Sequence, residues 1–181
     1  MNNYIEVIEN FLSKDECNFI LNRCKEELEL STAIVNNGNP NIRKSSIAWV
    51  DDLGDVNERL KNILKSRFNF GGVEVTGLGS FQFTEYKVGE FYEWHTDRGT
   101  TIDRKRFVST VIQLNDDYEG GLLEIKDTTG KLIPINQKSG SLYIFDSGLK
   151  HRVTPVNVNN RYSLVNWVSI VKTNVKKQNI I

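Results

Sequence analysis

Apolar positions recur with helical spacing in the first 70 residues and alternate, strand-like, over most of the remainder. Residues 4–8 read as a short strand. Ser13 follows as an N-cap, and Glu16 three residues on completes a capping box, in which each side chain satisfies the other's free backbone N–H. Leu12 and Cys17 are spaced for a hydrophobic staple. Cys17, Ile20, Leu21, Cys24 and Leu28 form one apolar stripe, which predicts a helix running to about Leu30. The stretch 36–45, NNGNPNIRKS, is loop by composition. Ile47–Val50 reads as a short strand. A second helix is expected from near Asp55, with Glu58 in the boxed position and a stripe of Val56, Leu60, Ile63, Leu64 and Phe68. Gly71-Gly72 closes this helical part.

From about Thr76 the texture changes to short β-like runs separated by turn residues. Strands are expected near 79–88, 92–97, 106–114, 121–126, 131–136, 141–145, 150–156 and 161–170, a density that suggests a sandwich or barrel. The helices should cover one face of the sheet. Phase is informative in the first run: Phe81 and Phe83 fall on one face, Gln82, Thr84 and Tyr86 on the other. A polar face that is still partly buried implies a cavity. The last two runs should form a hairpin around Asn157–Asn160. His151 and Arg161 share its inner face only with an odd-length loop or a bulge, and one of Asn157, Asn159 or Asn160 would then take positive φ.

At 181 residues the chain has the length of one domain with a real core, and no repeat or linker divides it. Lys plus Arg and Asp plus Glu both number 23, which argues against a bulk cationic nucleic-acid binder. No apolar run is long enough for a transmembrane helix, and the acidic N-terminus lacks a secretory h-region, so a cytoplasmic protein without membrane partners is expected. Cys17 and Cys24 lie about 10 Å apart along one helix, beyond disulfide reach, and read as small core residues of a reducing compartment.

The chemistry gathers around the only two histidines. His95 stands in YEWHTDRG with Asp97 two residues on, a spacing that puts both on one face of a strand about 6–7 Å apart. His151, in FDSGLKHRVTPV, can return beside them across three intervening strands. Two imidazoles and one carboxylate match the facial triad of non-haem Fe(II). A zinc hydrolase can use the same ligands, and a hydrogen-bonded strand histidine beside a turn aspartate explains His95 and Asp97 without a metal. Arg161 and Ser163 share a strand face in the otherwise apolar RYSLVNWVSI. A guanidinium there needs an anionic partner, which a dicarboxylate supplies through two parallel bonds. Tyr86 could donate a hydrogen bond to the same ligand. The bland readings are a strand-start salt bridge for Arg161 and an ordinary half-buried tyrosine for Tyr86.

The stretches FQFTEYKVGEFYEWHTD, GGLLEI, GSLYIFDSGLKHRVTPV and NRYSLVNWV, in that order, resemble the prolyl-4-hydroxylase-like branch of the Fe(II)/2-oxoglutarate dioxygenases. The resemblance spans roughly residues 80–168; IRKSSIAWV resembles, more weakly, the strand and loop at the family's active-site mouth. It implies a mainly β double-stranded β-helix, or jelly roll, with N-terminal helices packed on one sheet. It divides the chain into a helical support region (1–75), a catalytic core (76–170) and a tail (171–181). Carried over residue by residue, it makes His95, Asp97 and His151 the iron ligands and Arg161 the partner of the 2-oxoglutarate distal carboxylate, with Ser163 and Tyr86 as further contacts. Fe(II) is the implied cofactor, 2-oxoglutarate and O2 the cosubstrates, and ascorbate an accessory reductant. The implied reaction is hydroxylation of an unactivated C–H bond with release of succinate and CO2.

The motif does not specify the substrate. Peptidyl proline is slightly favoured, with small amino acids and modified nucleic acids as alternatives. The chain lacks, after Arg161, the second arginine of relatives that demethylate nucleic acids. The basic segment 98–106 is a candidate lid; Arg43 and Lys44 would form the opposite rim, with Trp49, Tyr92 and Trp94 nearby. A solvated loop is the competing reading of the basic run. Other functional classes are a catalytically inactive or sensory jelly-roll binding module and a cupin-like metal protein, although the latter commonly uses more histidines than this chain has.

Overall fold

The computed structural model describes residues 4–34, 39–69, 73–98 and 106–172. Strand β1 (Ile5–Ile8) leads into α1 (Lys14–Glu27), followed by β2 (Ser31–Thr32), β3 (Arg43–Lys44), β4 (Ser46–Val50) and α2 (Asp55–Phe68). Eleven strands come next: β5 (Val73–Leu78), β6 (Phe81–Tyr86), β7 (Phe91–His95), β8 (Val108–Gln113), β9 (Glu119–Gly120), β10 (Leu123–Lys126), β11 (Leu132–Ile133), β12 (Leu142–Asp146), β13 (His151–Val153), β14 (Val156–Val158) and β15 (Arg161–Lys172).

They form a jelly roll. The larger sheet runs β1-β12-β8-β15-β6-β4-β2, with β5 also on β15; the smaller runs β11-β10-β13-β7-β3; β14 and β9 make a separate pair. Strands β6, β8 and β12 of the larger sheet are buried on both faces, and the period-2 alternation of the strands sorts the side chains between those faces. Phe81, Phe83, Ile112, Leu142, Ile144, Tyr162, Leu164 and Val168 pack with Cys17, Ile20 and Cys24 of α1 and Val56, Leu60, Leu64 and Phe68 of α2. The intervening residues, among them Gln82, Tyr86, Val111, Arg161, Ser163 and Val165, turn toward the smaller sheet and line a cavity. The cavity inferred from the polar face of β6 is therefore present, and the helices cover the opposite face as expected.

The helices follow their local signals closely. Ser13 caps α1, accepting from Glu16 N, while Glu16 accepts from Ser13 N at 2.7 Å. The expected staple pair Leu12 and Cys17 is buried. Helix α1 stops at Glu27, short of Leu30, because Leu28 already has extended backbone (φ −107, ψ 134). Helix α2 has no side-chain box: Gly54 is its N-cap at φ +59, so Glu58 lacks the expected role. Residues Gly71-Gly72, expected to end the helical part, lie outside the described residues, as do 35–38, 99–105 and 173–181.

Several expected elements differ. Arg43–Lys44, read as loop, pairs with β7 as the edge of the smaller sheet. Strand β5 was not expected. The run 131–136 shrinks to two paired residues. Most consequential, 150–156 and 161–170 do not form a hairpin. The first run divides into β13, paired with β7 and β10, and β14, paired with β9; β15 lies in the other sheet. Asn159 does take positive φ (+56), but it turns a crossover between sheets. His151 and Arg161 thus line the same cavity from opposite walls. No helix among the described residues is long and apolar enough to cross a membrane.

Candidate metal centre

His95 and His151 are cross-strand partners at the ends of β7 and β13. Five strand segments separate them in the chain, rather than three, two of which (β9 and β11) are only two residues long. Asp97 is not on the strand face as expected. The ladder ends at His95, and the chain turns so that both Asp97 N and Arg98 N donate to Ser147 O, at 2.9 and 3.0 Å. This turn brings one Asp97 oxygen to 3.4 Å from His151 Nε2 and the other to 3.8 Å from His95 Nε2. The three side chains present donor atoms all within 4.8 Å of one another. Two donors held about 2.1 Å from one ion stand roughly 3.0 to 4.2 Å apart, depending on the angle between them. Both spacings fall in that interval.

The imidazoles are also oriented for ligation. His95 Nδ1 lies 2.7 Å from Glu93 O and His151 Nδ1 lies 3.0 Å from Leu149 O. Each carbonyl can only accept, so Nδ1 carries a proton and Nε2 is the atom turned toward the centre, able to ligate in its deprotonated form. Asp97 is held by Ser109 Oγ, which donates to Oδ2 at 2.6 Å and lies 2.9 Å from Ser147 Oγ. Next to it Arg98 pairs with the buried Asp146 at 2.9 Å, and Asp146 also accepts from Gly148 N. The turn at 146–148 is thereby tied to the segment carrying Asp97. The chemistry and spacing of this donor set fit a divalent transition metal such as Fe(II).

Electrostatics separate the two histidines. Burial, reinforced by the neighbouring His151, pushes His95 down to about 3, against the pull of Asp97. Burial also opposes charge on His151, but the Asp97 carboxylate outweighs it and raises this imidazole above its usual value. Burial acts to raise Asp97 as well; the two imidazoles and Ser109 overcome it and hold the carboxyl well below the usual range. An ionised carboxylate and a neutral imidazole suit cation binding, and an ion would replace the proton favoured on His151.

The cavity has a volume of about 450 Å³ and reaches from this cluster to Arg161 and Ser163. Arg161 is only 1 % exposed and forms no ion pair among the described residues. Its Nη1 donates to Ser163 Oγ at 3.2 Å, its Nη2 to Gln113 Oε1 at 2.8 Å, and its Nε is buried without a partner. A guanidinium surrounded only by neutral groups costs on the order of several kcal/mol in lost hydration, which an anionic ligand would offset. Tyr86 is the cross-strand partner of Arg161, with its ring 5.5 Å below the guanidinium carbon. The structure thus brings Tyr86, Arg161 and Ser163 together, as expected. Room for the arginine stem depends on Gly121, whose φ is +56; a Cβ there would stand 2.9 Å from Val156 and 3.1 Å from Arg161.

Sequence reasoning missed Gln113, because a glutamine near the end of an apolar strand carries no charge signal. Gln82 lines the cavity, as its place on the polar face of β6 implied, but the inward course of Arg43, expected only at the rim, was missed. Arg43 lines the cavity, donates to Gln82 Oε1 at 3.0 Å and lies 4.7 Å over the Tyr92 ring. Tyr92 stacks on His95 at 3.5 Å. Trp94 instead lies beneath Lys126 and Arg152 and is not among the cavity residues. At the mouth, half-exposed Trp49 tilts against Trp167, over which Arg106 sits at 3.9 Å. The candidate lid is described only at its ends, Arg98 and Arg106; its remaining residues lie outside the described part.

The sequence model of the 2OG-Fe(II) oxygenase superfamily matches residues 81–169, which contain all six expected site residues. A PKHD-type hydroxylase of Synechococcus sp. (strain JA-2-3B'a(2-13)) is 29% identical over 102 residues, covering 53% of this chain and 45% of that protein. A PKHD-type hydroxylase of Shewanella sp. (strain MR-7) is 27% identical over 175 residues, covering 89% and 76%. The crystal structure of a Pseudomonas putida prolyl-4-hydroxylase superposes with a TM-score of 0.74 at 25% identity, covering 91% of each chain. In the Synechococcus alignment the chain spans less than half the length of its relative. The jelly roll, the His-Asp-His cluster and these matches agree in assigning residues 81–169 to the 2OG-Fe(II) oxygenase superfamily, and the chain is similar to prolyl-4-hydroxylase-like members of it.

Proposed function

We propose that this protein is an Fe(II)- and 2-oxoglutarate-dependent hydroxylase of an unactivated C–H bond, releasing succinate and CO2. The observation that carries the reading is one cavity with His95, Asp97 and His151 at one end and the buried Arg161, without an ion pair among the described residues, at the other. His95, Asp97 and His151 would hold the iron, a ligand set that suits non-haem Fe(II). Bound iron supplies oxygen activation coupled to oxidative decarboxylation of the 2-oxo acid. The protein's own part is placement. Arg161, Ser163 and Tyr86 anchor the distal carboxylate, and the walls built by Val111, Leu123, Val153 and Val165 keep bulk water from the reacting end. None of the three ligands acts as a general base.

Peptidyl proline is the substrate class we favour, supported by the likeness to a prolyl-4-hydroxylase. The aromatic mouth of Trp49 and Trp167 suits a ring-bearing residue in an extended peptide. Ascorbate would serve as accessory reductant. We read the whole chain as one domain of a reducing compartment, consistent with two free, buried cysteines. The test is succinate formation from 2-oxoglutarate under air with Fe(II) and ascorbate. Turnover that chelation abolishes, that zinc does not restore and that His151→Ala lacks supports the reading. Undiminished succinate in His151→Ala at ordinary iron levels would contradict it. A peptide screen for a gain of one oxygen then identifies the substrate.

A further inference from the structure

Gln113 is fully buried at the end of β8, directly opposite Ser163 on β15. Every polar group of its amide is used. Oε1 accepts from Arg161 Nη2 at 2.8 Å, while Nε2 donates to Asn115 O at 3.0 Å and Tyr162 O at 3.1 Å. The two carbonyls can only accept, so they fix the amide with its NH2 toward them and its oxygen toward the guanidinium. Gln113 is thereby a rigid, neutral acceptor attached to the backbone at both Asn115 and Tyr162.

This choice of residue matters for charge. A carboxylate in the same place would hold the guanidinium as well and would neutralise it. Among the described residues no carboxylate reaches Arg161, and its Nε has no partner. The buried charge is oriented by neutral groups and left for a ligand.

We propose that Gln113 is a specificity-determining positioning residue. It aims the Arg161 guanidinium without cancelling its charge, and so sets the preference for a dianionic over a monoanionic 2-oxo acid. The proposal rests on the reading of Arg161 as the distal-carboxylate anchor. It names the residue that makes the anchor selective.

The test compares two ligands by calorimetry on the Mn(II)-loaded protein. They are 2-oxoglutarate and 2-oxopentanoate, which has the same chain length and a methyl in place of the distal carboxylate. The readout is the ratio of their dissociation constants, which general damage to fold or metal site does not move. The native protein should prefer 2-oxoglutarate by tenfold or more. Gln113→Met, which removes the acceptor, should cut that preference several-fold. Gln113→Glu, which adds a competing charge, should cut it tenfold or more, and both should bind 2-oxopentanoate as the native protein does. A ratio within twofold of the native value in either variant, with thermal unfolding confirming a folded protein, would overturn the role of Gln113. A native protein without any preference, or an Arg161→Leu variant that keeps it, would instead overturn the reading of Arg161.

Discussion

At the scale of single residues, the site depends on groups that hold others in place. Gly121 illustrates this: at φ +56 it is in a region that side chains rarely adopt, and a methyl group would meet Val156 and Arg161. Gly121→Ala should cost about 1–3 kcal/mol of stability by denaturant titration and weaken 2-oxoglutarate binding, because the arginine stem must shift. Ser109→Ala removes the hydroxyl that fixes Asp97 and should weaken Mn(II) binding roughly 10–100-fold in a direct titration. The candidate metal cluster of His95, Asp97 and His151, and the buried Arg161, were legible in the sequence because charged or metal-binding residues in apolar, alternating runs demand an explanation. Gln113, Ser109 and Gly121 were not legible. Their importance lies in partners 12 to 48 residues away, brought together by strand pairing that no local pattern encodes.

At the scale of elements, periodicity revealed what is local. The capping box of α1 and the stripes of both helices appear where the spacing put them. Ser13→Ala should cost about 1 kcal/mol. Leu60→Ala, fully buried between α2 and the sheet, should cost about 2–5 kcal/mol, leaving Mn(II) affinity of the folded protein unchanged because its cluster faces away from the cavity. Both are measured by denaturant unfolding. Strand pairing was less legible. The runs 150–156 and 161–170 are adjacent in sequence and look like a hairpin, yet the first divides between the smaller sheet and the β9–β14 pair, and Asn159 turns the chain from that pair into the larger sheet. The alternation of each strand is the same in either topology, so the pattern could place His151 and Arg161 in strands but not on facing walls. The turn carrying Asp97 was hidden for a related reason: His-x-Asp has strand spacing whether or not the ladder continues past His95.

At the scale of the whole molecule, the larger sheet separates two environments, an apolar layer beneath the helices and a polar cavity between the sheets. Burial in the apolar layer pushes the Cys24 thiol up to about 11 and raises Cys17 as well. The folded state therefore disfavours both thiolates. Its associated stability is present below the ordinary thiol range and is lost as pH climbs through about 11. Both thiols should resist a disulfide reagent at pH 8 in the native protein and react fully once it is unfolded. Prompt reaction of either native thiol would show that the helices do not cover the sheet as described. The cavity is tested most directly by a crystal structure of the protein with Mn(II) and 2-oxoglutarate. One ion bound jointly by His95, Asp97 and His151 is expected, chelated by the 2-oxo acid, with the distal carboxylate on Arg161. An ion bound elsewhere, or a 2-oxoglutarate that leaves Arg161 untouched, would contradict this expectation.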